Sequence, residues 1–142
     1  MCTCPGGILP GVRARWKDHR VTERSQLLGA AGERIASRYL EQHGYEVVER
    51  NVRRLEGEID LVALKGDTLV FVEVKLRTSR KMGAAVQQIS AIKGAKLRAL
   101  AEAYAADHPE YPANCRVDLV AIELTVGGDV GQLNHIENAI EG

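Results

Sequence analysis

The chain predicts a single α/β domain with an α-β-β-β-α-β core, a mixed sheet flanked by helices. Three observations carry this prediction. Apolar residues recur at helical spacing in two separate stretches, and three strand-like runs lie between those stretches. Two of the runs are joined by the tight turn Lys65-Gly66-Asp67-Thr68, and a further run rich in β-branched residues follows the second helical stretch.

Residues 1–22, rich in Gly, Pro and Arg and without sustained periodicity, read as a mobile arm before a folded domain at 23–142. Leu28, Ala31, Ile35 and Tyr39 predict a first helix from Gln26 to His43, with Ser25 as its N-cap and Gly44 as its stop. Gly29 and Gly32 each cost such a helix ~1 kcal/mol relative to Ala, which points to close backbone packing. Tyr45 to Val52 reads as an edge-like strand, followed by the two hairpin strands and a break at Gly83. A second helix is expected from Ala85 or Ser90 to Ala106. It turns Ile89, Ile92, Leu97, Leu100 and Tyr104 inward and Lys93, Lys96 and Arg98 outward, and His108-Pro109 closes it. Arg116 to Leu124 is a strand, and Leu133 to Ile140 adds an edge strand after the Gly127-Gly128 turn.

Composition bounds the function. A chain of 142 residues with 45% hydrophobic content can bury one core. No apolar run approaches the ~20 residues of a membrane-spanning helix, and the first ten residues lack a leader pattern, so no membrane association and a cytoplasmic location are expected. Three cysteines cannot close a disulfide framework, and Cys2, Cys4 and His19 match no standard zinc spacing. The net charge of zero conceals segregation: Val74 to Arg98 holds seven basic residues and no acidic one, whereas Ala99 to Gly142 carries a net charge of −7. One side of the molecule therefore suits a polyanion. With only 4% aromatic residues, a base-stacking platform for single strands is poorly supported, and backbone contacts to duplex or branched nucleic acid fit better.

The turn sets the hairpin register, pairing residues whose numbers sum to 133. Ile59, Leu61 and Ala63 then share an apolar face with Val70, Val72 and Val74. On the other face Asp60 stands opposite Glu73 at ~5 Å between β-carbons, and like charges at that spacing repel. A divalent cation between the carboxylates would turn repulsion into binding, because magnesium and manganese take oxygen ligands. Lys75, two residues beyond Glu73, points the same way and can stabilise charge on a reacting water or phosphate. Glu58 would face Lys75, as a support for the site or as a surface ion pair. Asp118 reads as structural, paired with Arg116 on one strand face. Arg77, Arg80, Lys81, Lys93 and Lys96 are candidate phosphate contacts.

Asp60 followed by Glu73-Val74-Lys75 resembles the PD-(D/E)xK motif of the restriction-endonuclease-like superfamily, with Ile59 in place of the proline. More closely, Gly32-Glu33, Gly44-Tyr45, Asn51-Val52-Arg53, Gly57-Glu58-Ile59-Asp60-Leu61, Phe71 to Arg77, Gly83 and Arg116-Val117-Asp118 resemble the YraN family of small bacterial proteins. The resemblance spans about Leu28 to Ile122, with Met82 as a departure where an aromatic residue is expected. It implies a nuclease-like fold similar to archaeal Holliday-junction resolvases. By that likeness Asp60 and Glu73 bind magnesium or manganese, the Val74 carbonyl adds a donor, Lys75 assists the water, and Glu33 joins from the first helix. A symmetric junction presents two strands, so a homodimer is expected by the same analogy. The expected function is a metal-dependent DNA endonuclease. The rival is a non-catalytic nucleic-acid-binding or adaptor protein in a DNA-processing assembly. A small-molecule hydrolase lacks support, since neither Gly-x-Ser-x-Gly nor a Cys-His arrangement is evident.

Overall fold

Tyr104 meets Phe71 of a five-stranded sheet edge-on, at 5.6 Å between ring centroids, and around this pair the sequence pattern becomes a core. A computed structural model describes residues 23–78 and 91–140. The expected N-terminal arm with its cysteines, Gly83, and the start predicted for the second helix lie outside them. The chain divides into two compact units, Met1–Ala31 and Gly32–Gly142. Of the first, only the opening turns of helix α1 are described.

The elements are α1 (Glu23–Gln42), β1 (Glu46–Arg54), β2 (Gly57–Lys65), β3 (Thr68–Thr78), α2 (Ala91–Asp107), β4 (Asn114–Leu124) and β5 (Val130–Ile136). Neighbours in the sheet follow chain order, β1-β2-β3-β4-β5. All neighbours are antiparallel except β3 and β4, which run parallel from Thr68↔Asn114 to Thr78↔Leu124. A parallel pair cannot be joined by a hairpin, and α2 lies in the crossover that joins this one. The α/β class and the expected order are therefore observed, with the fifth strand at the edge.

Helix α1 starts at Glu23, so Ser25 is inside the helix rather than capping it. Its end is as expected. Gly44 has φ of 88°, and the Tyr45 amide reaches back to the Leu40 carbonyl at 2.9 Å, satisfying an otherwise orphaned acceptor. Ala36, Ser37 and Leu40 form its buried stripe. A β-carbon added at Gly32 would lie 3.4 Å from Leu76 Cβ and 3.5 Å from Val74 Cγ1, so helix and strand meet there backbone to side chain. The same carbon at Gly29 would meet no described atom within 4 Å.

Helix α2 covers the opposite face. Leu97, Leu100, Ala101 and Tyr104, at helical spacing, join Val52, Ile59, Val62, Leu69, Phe71 and Val117 in one buried cluster. Each large side chain removed from water in this way stabilises the fold by roughly 1.5–3 kcal/mol. Lys93, Lys96 and Arg98 stay exposed, as their spacing predicts.

Ile59 departs from the expected alternation. It belongs with Val52 to the cluster under α2, whereas Leu61, two residues on, is not a member of that cluster among the described residues. Gly57 faces the same way as Ile59, with a β-carbon position 3.3 Å from Leu100 Cδ1. The neighbouring strand is irregular at the same level. The pairing of β1 with β2 steps from Arg50↔Leu61 to Val52↔Ile59, and between them Asn51, across from Asp60, has φ of 53°. Asparagine tolerates this left-handed conformation better than most residues, and such a residue interrupts the alternation of its own strand.

A buried ion cluster ties the other end of the sheet. Asp118, with a fully buried side chain, accepts from Arg116 Nε at 2.8 Å and Nη2 at 2.9 Å, from the Asn138 amide at 3.0 Å, and meets His135 Nε2 at 2.8 Å. Arg116 also donates to the Tyr45 hydroxyl at 2.8 Å, and Tyr39 reaches His135 Nδ1 at 3.3 Å. The expected Arg116–Asp118 pair is thus present, within a larger network. Burial opposes the charge on Asp118, but the bonds from His135, Arg116 and Asn138 together with the guanidinium charge outweigh it and hold this carboxyl below its usual range. A depressed carboxyl stabilises the fold fully above the unfolded value of about 3.9 and loses that contribution as pH falls through its folded value. Urea denaturation should therefore show stability dropping as pH is lowered below about 4. At pH 7, Asp118→Ala should cost on the order of 3 kcal/mol, because it leaves Arg116 without its buried partner.

Candidate active site

The hairpin register is the one the turn dictates, running Lys65↔Thr68, Leu64↔Leu69, Ala63↔Val70, Val62↔Phe71 and Leu61↔Val72. It does not continue to Asp60↔Glu73 as a backbone pair. Asp60 Oδ2 instead accepts the Val74 amide at 2.8 Å, so a side-chain oxygen takes the place of a ladder carbonyl. The backbone pairing of β2 with β3 ends here, and the Asp60 carboxylate reaches β3 through this bond.

A cleft of about 530 Å³ opens there beneath the first turns of α2, lined by Glu56, Gly57, Glu58, Asp60, Glu73, Lys93, Lys96, Leu97 and Leu100. Glu73, only 7% exposed, projects into it from β3. Asp60 is half-buried. Burial, then the charge of Glu73, pushes the Asp60 carboxyl up to about 7; the Val74 amide works against this, and Glu33 and Glu58 add to it. The sequence expectation of two mutually repelling carboxylates is therefore met in space, although the backbone pairing that suggested it stops one residue short.

Lys93 meets Glu73 first among the cations, with its ammonium 2.6 Å from Glu73 Oε2. Lys96 lines the cleft one turn further along α2. Lys75, two residues beyond Glu73 on β3, is half-buried and stands outside the described lining of the cleft. Glu58 does not pair with Lys75: it lies across β1 from Arg53 and forms an exposed ion pair with it at 3.3 Å. Arg77 is exposed at the end of the strand and donates to the Leu76 carbonyl at 3.1 Å. Arg80 and Lys81 lie outside the described residues.

Glu33 approaches from α1. Burial raises its carboxyl, a hydrogen bond with the Asn51 side chain lowers it, and Glu58 raises it further. Asn51 is thus the residue that sequence reasoning left without a role. Its signal was present, since an asparagine inside a strand is a common bearer of positive φ. The Lys93–Glu73 pair had no local signal, because twenty residues and a crossover separate the two.

Asp60 and Glu73 are oxygen donors of the kind a magnesium or manganese ion takes, with one or two protein carboxylates and the remainder water or phosphate. Among the described residues no group of three or more His, Cys, Asp or Glu side chains stands close enough to share an ion. The fit is therefore to a two-carboxylate site, with Glu33 held one step away by Asn51.

Fold and cleft together define a small α/β protein with a buried acidic pair faced by lysines from a crossover helix. The chain belongs to the Uncharacterised protein family UPF0102, which residues 32–122 match. It is 48% identical over 101 residues to a UPF0102 protein of Beutenbergia cavernae, covering 71% of this chain and 86% of the relative. A UPF0102 protein of Pelotomaculum thermopropionicum is 40% identical over 119 residues, with 84% and 99% covered. One from Roseiflexus castenholzii is 42% identical over 123 residues, with 85% and 98% covered. The matched span includes Glu33, Asp60, Glu73, Lys75 and Lys93. No helix among the described residues is long and apolar enough to cross a membrane.

A carboxyl whose folded value is raised to about 7 weakens the fold as pH rises from the unfolded value near 3.9 through that range, because the unfolded chain ionises first. Asp60→Asn keeps an acceptor for the Val74 amide and removes the buried charge. Its Tm at pH 8 should exceed that of the wild type by about 5 °C, the shift that ~1 kcal/mol produces in a domain of this size. The difference should vanish at pH 4, as read by thermal denaturation at the two pH values.

Proposed function

We propose that the chain is a magnesium- or manganese-dependent nuclease of restriction-endonuclease-like type, hydrolysing phosphodiester bonds in DNA, with branched or junction DNA among its substrates. The observation that supports this most is the Asp60–Glu73 pair. Two carboxylates are held together in a cleft, at a cost to folding, where a hard cation would relieve the repulsion.

Asp60 and Glu73 would hold the ion, with Asp60 oriented by the Val74 amide. A bound divalent ion lowers the pKa of a coordinated water and offsets charge on the phosphate. Lys75, on the same strand side as Glu73, supplies positive charge for the attacking water, while Lys96 and Arg77 hold phosphates beside the cleft. Glu33 and Asn51, hydrogen-bonded to each other, would form a second layer near Asp60. Two copies would serve the two strands of a symmetric junction, and the cytoplasm, where bacterial DNA lies, is the compartment this reading requires.

A second reading, a nucleic-acid-binding adaptor without catalysis, is favoured by one specific observation: the Lys93 ammonium already neutralises Glu73. Manganese titration separates the two readings, since an adaptor without a metal site gives no heat that depends on Asp60.

Incubation with linear, flapped and four-way-junction DNA in magnesium or manganese should yield cleavage by the wild type. Asp60→Ala and Lys75→Ala should each reduce the rate by at least about 100-fold, the usual scale for removing a group that stabilises the transition state. A wild type that leaves every DNA intact, or variants that cut as fast as it does, would remove the nuclease reading.

A further inference from the structure

The β1–β2 hairpin extends past the core. Val52 and Ile59, paired across its strands, are its last buried residues, and Arg53, Leu55, Glu56, Gly57 and Glu58 beyond them are exposed. Its two-residue turn is Leu55-Glu56, between the paired Arg54 and Gly57. Leu55 is fully exposed, at 103%. Turns of this kind favour glycine, asparagine and aspartate, which supply positive φ or bond their own backbone, and a leucine does neither with ease. Leu55 has no positive φ and buries no surface, so neither the turn nor the core accounts for an apolar side chain at this position.

The tip is braced on both sides. Arg53 pairs with Glu58 across the strands at 3.3 Å, Arg54 pairs with Asp107 at the end of α2, and a β-carbon at Gly57 would lie 3.3 Å from Leu100 of the same helix. Leu55 therefore stands on a fixed base. That base borders the candidate site, because Glu56, Gly57 and Glu58 line the acidic cleft. Arg50 and Arg53 add exposed guanidinium groups near by: both act on Glu33, which in turn acts on Asp60.

Resting on the nuclease reading above, we propose that Leu55 is a wedge that enters the base stack of duplex DNA at a branch or kink, next to the phosphodiester presented to the cleft. An apolar side chain on a rigid stem parts neighbouring base pairs and bends the duplex, and leucine is among the residues used in this way. Arg50 and Arg53 supply phosphate contacts at its base; Arg53 engages Glu58 through Nε and keeps further N–H donors. Glu58 and Asp107 are each paired with an arginine, which reduces the negative charge that DNA meets around the tip. Bases part most easily where stacking is already interrupted, so the wedge favours branched or flapped DNA over a continuous duplex.

An aminopurine base, which fluoresces when unstacked, reports the wedge directly. It is placed at the branch of a four-way junction and of a flapped duplex, and at the centre of a linear duplex, and titrated with protein in EDTA so that no metal-dependent cutting intervenes. The wild type should raise the emission at both branches. Leu55→Ser should lose that rise while its Tm stays within about 2 °C of the wild type, since an exposed side chain contributes little to stability. Its affinity for the junction should fall by less than about tenfold, because phosphate contacts carry most of the binding. Leu55→Met, which keeps an apolar side chain, should retain the rise.

An equal rise with Leu55→Ser, or DNA binding by the wild type without any rise, would overturn the wedge while leaving the nuclease reading intact. Loss of a dimer by Leu55→Ser in sedimentation, with the emission unchanged, would overturn it too, making the tip a contact between copies of the chain. A wild type that binds none of these DNAs would also overturn the wedge, and the nuclease reading falls with it only if the cleavage assay in magnesium or manganese fails as well.

Discussion

Everything about the cleft depends on the hydrogen bond from the Val74 amide to the Asp60 carboxylate. Up to Leu61↔Val72 the hairpin is an ordinary antiparallel ladder in which each amide meets a carbonyl. At the next step the acceptor is a side chain. A carboxylate reaches further than a carbonyl and carries charge, so the two strands separate and a negative group is fixed between them. Helix α2 then covers the gap with Leu97 and Leu100 and leaves its lysines at the rim.

Two aspartates of this domain answer to opposite physics. Asp118 is surrounded by donors: a guanidinium, an imidazole and an amide compensate the desolvation, and its acid strength increases. Asp60 has one amide to offset its burial and the charge of further acids, so its carboxyl is pushed up to about 7. The first arrangement fastens β4 to β5, Tyr45 and Tyr39. The second stores unfavourable charge at the mouth of a cleft, which folding alone gives no reason to keep. The contrast between them, within one sheet, is the physical basis for treating only one as a site.

Much of this was legible in the residues. The Lys65-Gly66-Asp67-Thr68 turn determines which hairpin residues meet, and the Leu97, Leu100, Tyr104 spacing identifies the covered face of α2. Strict alternation failed at Ile59. It assumes an unbroken ladder, but the β2–β3 pairing ends at Leu61↔Val72, and Asn51 at positive φ lies in the neighbouring strand. Glu58 likewise meets Arg53, its cross-strand neighbour on β1, rather than Lys75. Ser25 failed as a cap because helical preference carried α1 two residues past it, to Glu23.

The sequence by itself determined the alternating elements, the hairpin register and the proximity of Asp60 to Glu73, because these follow from local backbone geometry and a short turn. Membership of UPF0102 is likewise a property of residues in order along the chain. Only the tertiary structure decided which cation answers the acidic pair. Lys75 is two residues from Glu73, but Lys93 touches it, because the parallel β3–β4 pairing requires a crossover and that crossover carries α2 over the cleft. Charges distant in sequence meet where the packing of Leu97 and Leu100 brings them, and no periodicity along the chain encodes that meeting.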